Sequence, residues 1–345
     1  MVEFPPPLAQ DASNEQAAAW LEQIATAYQQ SQALLAANRL GLFAALGEHC
    51  LSLRALQEAL GVSERGLRIL CDALAALGVL IKEAEGYRNG PAALACLTED
   101  APMSKTAIFR HHADLYERWA TLPDAMRQGH KTEPPAPPDD NHAEGFAEAM
   151  ADVARQSAVQ TAEALDLDGA KTLLDLGGGP GLYAIELARR NPGLHAVVFD
   201  SAETLKVTER KIAEAQLDGR VTTHAGDALH DPLPGCFDAI LLSNFVHIFD
   251  RATNQDVVKK CARALTPGGR VIIKDFALDE SRTAPRWSAL FAINMLVGTE
   301  GGDCYSESEI KAWGEAAGLQ LTQSLAVGSH SSLWVLANSD ARSRP

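Results

Sequence analysis

From Lys171 onward, short apolar runs alternate with helix-patterned segments, and that alternation predicts the fold. The run Thr172 to Leu176 carries Asp175 and breaks into Gly177, Gly178, Gly179, Pro180 and Gly181. A helical pattern follows, then a second apolar run, Ala196 to Phe199, ending on Asp200. Arg220 to Ala225 reads as a short strand before the turn Gly226-Asp227-Ala228, and Phe237 to Asn244 as the next buried strand. Asn254 to Leu265 has helical spacing, stopped by Thr266-Pro267-Gly268-Gly269, and Arg270 to Phe276 is strand-like again. Helices between apolar strands predict an α/β fold with a doubly wound, mostly parallel sheet that binds ligands at the carboxyl ends of its strands. Gln320 to Val327 and Ser332 to Ala337, around a Gly-Ser-His-Ser turn, predict a C-terminal antiparallel hairpin.

The first third of the chain is patterned differently. Glu15 to Leu46 is rich in Ala and Leu at helical spacing, which predicts helices that bury one face against a partner subunit or their own domain. Leu51 to Ala93 reads as helix, turn, helix and short hairpin, with Ser63 starting the second helix and Gly78 stopping it. That is a winged-helix pattern. Two further helices, about Met103 to Gly129 and Asn141 to Leu165, are split by Lys131 to Asp140, whose four prolines exclude a helix. The expected organisation is therefore a helical, winged-helix domain over 1–102, linking helices that add to the substrate pocket over 103–165, and a ligand-binding domain over 166–340.

The glycine turn admits two ligands. Gly179, Gly181 and Ala184 satisfy G-x-G-x-x-A, and Asp200 lies about 20 residues on, as a dinucleotide site requires. An acid inside the strand before the glycines, here Asp175, favours S-adenosylmethionine (SAM) instead. Either way, Asp200 stands at a strand tip where a carboxylate can grip a ribose diol, and Asp227 is placed to meet an adenine amine. His247 falls just past the Ile240–Ser243 run, where an imidazole can take a proton near neutral pH if an acceptor holds its other nitrogen.

Charge removes a competing function. Winged helices often bind DNA, yet residues 41–98 hold five basic side chains against six acidic ones, and the whole chain carries −15 from 45 acids and 30 bases. A net acidic surface repels duplex phosphates, so no nucleic-acid partner is expected. Six scattered cysteines without a Cys-x-x-Cys pair fit reduced thiols. The start MVEFPPPLAQD shows no signal-peptide pattern, and no apolar run nears the length of a membrane span, so a cytoplasmic protein is expected. His111, His112, Asp114 and Glu117 sit in a Trp- and Leu-containing helical run that reads as substrate-pocket wall or interdomain packing, and no metal is expected.

With LDLGGGPG, GDA, SNFVHIF and LTPGGRVIIKDF in hand, residues 171–337 resemble the class I SAM-dependent methyltransferases, with a Rossmann-like sheet. From about Gln32 to Ala337 the chain resembles the two-domain O-methyltransferases that include plant caffeate and bacterial natural-product enzymes. The resemblance implies a SAM cofactor lined by Asp175, Gly177, Gly178, Gly179, Asp200, Asp227 and Ala228. Ser243 joins them at a position where the plant enzymes often carry lysine. It implies His247 as the base for a hydroxyl on a small, aromatic acceptor, with Asp275 holding its other nitrogen. A second acid is expected before the last helix; its position falls on Cys304, so that Asp303 or Glu300 takes the role through a shifted loop, or the acid is absent. Phe146, Met150 and Asn294 are expected at the substrate, and the winged domain is expected to make a homodimer. Relatives that bind SAM for hydroxylation or decarboxylation give the alternative chemistry, and a DNA-binding regulator or an NAD-dependent dehydrogenase the more distant ones.

Overall fold

The structure is a computed structural model that describes residues 8–9, 11–98, 100–101, 103–132 and 142–338. The proline-rich stretch 133–140 and the first seven residues lie outside the described residues. Contacts divide the chain into two compact units, Met1–Asp114 and Leu115–Pro345, with the division inside one helix.

The first unit comprises α1 (Asn14–Thr26), α2 (Tyr28–Arg39), α3 (Leu42–Leu46), α4 (Leu53–Leu60), α5 (Glu64–Ala76), the hairpin β1 (Leu80–Lys82) and β2 (Tyr87–Asn89), and α6 (Pro91–Cys96). Serines start α1, α4 and α5: Ser13, Ser52 and Ser63 accept the otherwise unpaired amides of Gln16, Ala55 and Gly66. One apolar cluster holds Leu42, Phe43, Leu46, Leu56, Leu67, Leu74, Leu80 and Tyr87 together. Buried Asn89 donates to the carbonyls of Phe43 and Gly47, tying the hairpin to α3. α1 contributes no buried residue.

Helix α7 (Thr106–Trp119) crosses into the second unit, where α8 (Leu122–Gln128) and α9 (His142–Ala164) follow. The sheet is then laid down as β3 (Thr172–Leu176), α10 (Leu182–Arg190), β4 (His195–Asp200), α11 (Ala202–Glu214), β5 (Val221–Ala225), β6 (Phe237–Ser243), α12 (Arg251–Arg263) and β7 (Leu265–Asp275). β8 (Ala277–Leu278), α13 (Arg286–Gly298), β9 (Tyr305–Ser306), α14 (Glu307–Ala316), β10 (Gln320–Val327) and β11 (Ser331–Ala337) complete the chain. Strand order in the large sheet is β10-β11-β7-β6-β3-β4-β5. The four central pairings from β7 to β5 are parallel, and β11 joins β7 antiparallel, so the expected α/β sheet with a terminal hairpin is observed. From β3 the chain fills the sheet outward to β5, then returns to add β6 on the other side. The crevice at that reversal, above the carboxyl ends of β3 and β6, is where such sheets bind ligands.

Successive residues on these strands bury in opposite layers, which is why the strands read as unbroken apolar runs. Leu173, Val198, Leu241 and Ile272 pack toward α9 and α10; Leu174, Phe199, Ile240, Leu242 and Ile273 pack toward α12 and α14. The run read as one helix from Met103 to Gly129 is two, α7 and α8, and two other boundaries differ from the sequence reading for local reasons. α12 starts at Arg251, because Asp250 caps it by accepting from the Thr253 amide at 2.8 Å. β7 starts at Leu265, before the Thr-Pro-Gly-Gly stop, because those residues form an irregularity inside the pairing: Phe237 faces Leu265 while Ala239 faces Arg270.

Candidate active site

The turn after β3 is built so that only one of its faces is open. A side chain at Gly177 would lie 2.3 Å from the Phe245 ring, and one at Gly178 would lie 2.7 Å from the Asp175 carboxyl. Gly179, at φ +55°, has nothing within 4 Å of where a side chain would stand. Its amide donates to Asp200 Oδ2 at 2.9 Å, so the turn is tied to the tip of β4. Asp200 Oδ1 accepts from the Ser201 amide, at the start of α11. Asp175 is fully buried and neither of its oxygens has a hydrogen-bond partner among the described residues. Burial pushes its carboxyl up to about 7, and Asp200 adds to the rise. Ser243, at the end of β6, also has a buried hydroxyl without a partner among the described residues. Asp227 is exposed after β5; it accepts from His230 and the Leu229 amide, and these bonds hold its carboxyl below the usual range. Ala228 follows it, its carbonyl accepting from Lys260 Nζ.

His247 lies in a single 3-10 turn, Val246–Ile248, beyond the end of β6. Its Nδ1 is 2.7 Å from Asp275 Oδ1, and its amide donates to Oδ2 of the same carboxylate. Both side chains are buried. Burial alone would raise the Asp275 carboxyl, yet the charge and hydrogen bond of His247, the Phe276 amide and Lys274 together hold it below its usual value. An ionised Asp275 accepts a proton-bearing Nδ1, which leaves Nε2 as the basic nitrogen. Phe276 stacks on the imidazole with ring centres 5.7 Å apart, and Phe291 meets it edge-on at 5.0 Å. Trp287 stacks on Phe291 and on His330 from the β10–β11 turn. The result is an apolar wall of aromatic faces beside an imidazole paired with a buried carboxylate.

Asp303 does not bring a second acid to His247. Its carboxylate pairs with Arg282 at 2.6 Å, and the contact it makes with His247 is through the backbone, its amide donating to the His247 carbonyl at 3.0 Å. Glu300 is exposed and lies 3.4 Å from Lys131. Cys304 is fully buried; burial first, then Asp275 and Asp303, raise its thiol well above the ordinary range. Asn294 is engaged by Trp119 Nε1, which donates to its side-chain oxygen at 2.6 Å. Phe146 and Met150 lie on α9, Phe146 exposed and Met150 half-buried.

Several residues of this region were not singled out from sequence. Lys274 is buried at the end of β7, held by Tyr183 and Asn244. Arg282, at φ +62°, reaches Asp303, Glu309 and the Cys304 carbonyl. Gly302 sits so close to the His247 carbonyl that a side chain there would be 2.3 Å from it. A glycine pair beside Asp303 was the available signal for that close approach.

The open turn at Gly179, the carboxylate of Asp200 and the orphaned Ser243 hydroxyl fit an adenosyl cofactor, and the sheet order defines a class I methyltransferase fold. An O-methyltransferase domain matches residues 136–320 and an O-methyltransferase dimerisation domain matches residues 22–99. The chain belongs to the SAM-dependent O-methyltransferases. It is 33% identical to 3-hydroxy-5-methyl-1-naphthoate 3-O-methyltransferase of Streptomyces sahachiroi, over 86% of this chain and 88% of that one. It is 33% identical to the tetracenomycin polyketide synthesis 8-O-methyl transferase of Streptomyces glaucescens, over 88% and 92%. Human N-acetylserotonin methyltransferase in complex with SAM superposes with a TM-score of 0.85 at 25% identity, over 96% and 99%. The dehydrogenase, the DNA-binding regulator and the non-methylating chemistry are not favoured. No described helix is long and apolar enough to cross a membrane.

Proposed function

We propose that the chain methylates a hydroxyl of a small aromatic molecule, with His247 as the general base. SAM, when bound, supplies an electrophilic methyl group and leaves as the neutral thioether. His247 takes the hydroxyl proton on Nε2 as the oxygen attacks, and Asp275 stabilises the imidazolium that forms. Base catalysis of this kind contributes roughly 10²–10⁴-fold. Asp175, Gly177, Gly178, Gly179, Asp200, Asp227, Ala228 and Ser243 are assigned to the cofactor, and Phe146, Met150 and Asn294 to the acceptor side. Asp303 acts on His247 as a positioning residue, through its amide. The aromatic faces of Phe276, Phe291 and Trp287 beside the base support a flat acceptor, as do the two Streptomyces relatives, whose names describe a hydroxynaphthoate and a polyketide. The match to a dimerisation domain supports a homodimer, and six unpaired cysteines support a reducing, cytoplasmic setting.

The observation that carries the reading is the 2.7 Å contact between His247 and buried Asp275. The test is methyl transfer to a panel of phenols and naphthols by the wild type and His247→Ala, with S-adenosylhomocysteine binding measured calorimetrically on both. A loss of about 10²–10⁴-fold in kcat with unchanged binding is expected. Undiminished turnover by His247→Ala would remove the base from this role.

A further inference from the structure

Lys274 is the buried charge that this mechanism does not use. Its side chain is 1% exposed, yet among the described residues no carboxylate pairs with it. Nζ donates to Asn244 Oδ1 at 2.8 Å and to the Tyr183 hydroxyl at 3.2 Å. The Tyr183 hydroxyl donates its own O–H to Ser157 Oγ, so the lysine faces two neutral acceptors and keeps a third N–H. Asp275 is next in sequence, but successive strand residues point to opposite faces, and its oxygens are taken by His247 and the Phe276 amide. Asp275 acts on Nζ only at a distance, and a buried ammonium whose direct contacts are all neutral dipoles is costly unless a counter-ion arrives.

The surroundings of Nζ say where that counter-ion would lie. Tyr183 is in the first turn of α10, directly after the glycine turn, and its ring centre is 5.5 Å from Nζ. The Phe276 ring, stacked on His247, is 5.5 Å away on another side. Asn244, the residue that holds Nζ, directly follows β6 with φ +52°, three residues before His247. Nζ therefore stands between the cofactor turn and the base.

We propose that Lys274 binds a carboxylate brought by a ligand, through Nζ. Two ligands of this enzyme can carry one: the cofactor, on its methionyl arm, and an aromatic acid serving as acceptor. The inference rests on the methyltransferase reading, and the experiment separates the two. Binding of S-adenosylhomocysteine and of its decarboxylated analogue is measured by calorimetry on wild type, Lys274→Met and Lys274→Gln, after melting curves establish that each is folded. The cofactor-loaded proteins are then titrated with 2-naphthoate and with 2-naphthamide.

If the carboxylate belongs to the cofactor, wild type prefers S-adenosylhomocysteine over the decarboxylated analogue by about tenfold or more. Both variants lose that preference while binding the analogue as before. If it belongs to the acceptor, the cofactor affinities stay level and the preference for naphthoate over naphthamide disappears in the variants. Folded variants that retain every preference of the wild type overturn the role of Lys274 and leave the methyltransferase reading standing. A wild type that binds no S-adenosylhomocysteine overturns both.

Discussion

Asp175 holds a carboxyl that burial keeps near half-protonation at neutral pH, at about 7 against an ordinary 3.8. A raised carboxyl binds its proton more tightly in the folded chain than in the unfolded one. Stability contributed this way is present in acid and is lost as pH rises from the unfolded value through about 7. Between pH 5 and pH 8 the loss is about 2–3 kcal/mol for the ligand-free protein. Urea unfolding at the two pH values should show this slope in the wild type and its absence in Asp175→Asn. Equal slopes would mean that Asp175 is ionised throughout. Asp275 has the opposite sign, held low by His247, so their bond persists into acid. Asp275→Asn keeps the volume but offers Nδ1 a donor as readily as an acceptor, and kcat should fall about 10²-fold or more while cofactor binding stays level. Equal turnover in the variant would leave Asp275 as packing only. The juxtaposition of His247 with Asp275 was expected from sequence, His247 falling just past the β6 run and Asp275 at the end of β7, where the resembling family places an acid. Lys274 was not, since a lysine between Ile273 and Asp275 reads as the solvent end of a strand. Only packing of Tyr183 and Phe276 around it reveals a buried charge.

Strands and helices were predictable where periodicity was clean, as in β3, β4 and the terminal hairpin. The misread start of β7 has a local cause: Thr266-Pro267-Gly268-Gly269 has the composition of a turn, and only the offset pairing with β6 absorbs it into a strand. The segment before α14 was ambiguous for a different reason. Three neighbouring positions, Glu300, Asp303 and Cys304, could each face His247, and sequence spacing cannot say which way a loop turns. Arg282 decides it by drawing the Asp303 carboxylate away, while the Asp303 amide and Gly302 press on the His247 backbone. Gly302→Ala tests that clamp. The added methyl would meet the carbonyls of His247 and Ile248 and the Thr299 hydroxyl, so the loop or the 3-10 turn must shift. Overpacking of this kind costs about 1–3 kcal/mol, and a displacement near 1 Å at the base costs about 10²-fold in rate. We expect kcat to fall with SAM affinity nearly unchanged; unaltered kcat would mean that the clamp does not set the position of His247.

The two units differ in how completely they bury themselves. The α/β unit covers both faces of its sheet, whereas α1 in the helical unit buries none of its residues. Leu21 and Ile24 on that helix, and Tyr28 at the start of α2, fall at i, i+3 and i+7 and remain 60%, 46% and 52% exposed. A helix of 13 residues is marginal in water by its own hydrogen bonds, and its apolar stripe gives it stability only when something covers it. Most of this stripe lies within the residues that match the dimerisation domain, 22–99, which supports a second copy of the chain as the cover. Net charge of −15 disfavours a nonspecific association, so a dimer here must rest on such an apolar contact. Replacing Leu21 and Ile24 together by Asp places two charges in that contact, and each would have to be buried unpaired for the dimer to form. Light scattering after size exclusion should therefore find the wild type as a dimer and Leu21→Asp/Ile24→Asp as a monomer at micromolar concentration. The α/β unit does not use these side chains for its own core, so the variant should still bind S-adenosylhomocysteine. A variant that remains dimeric would move the interface elsewhere on the helical unit.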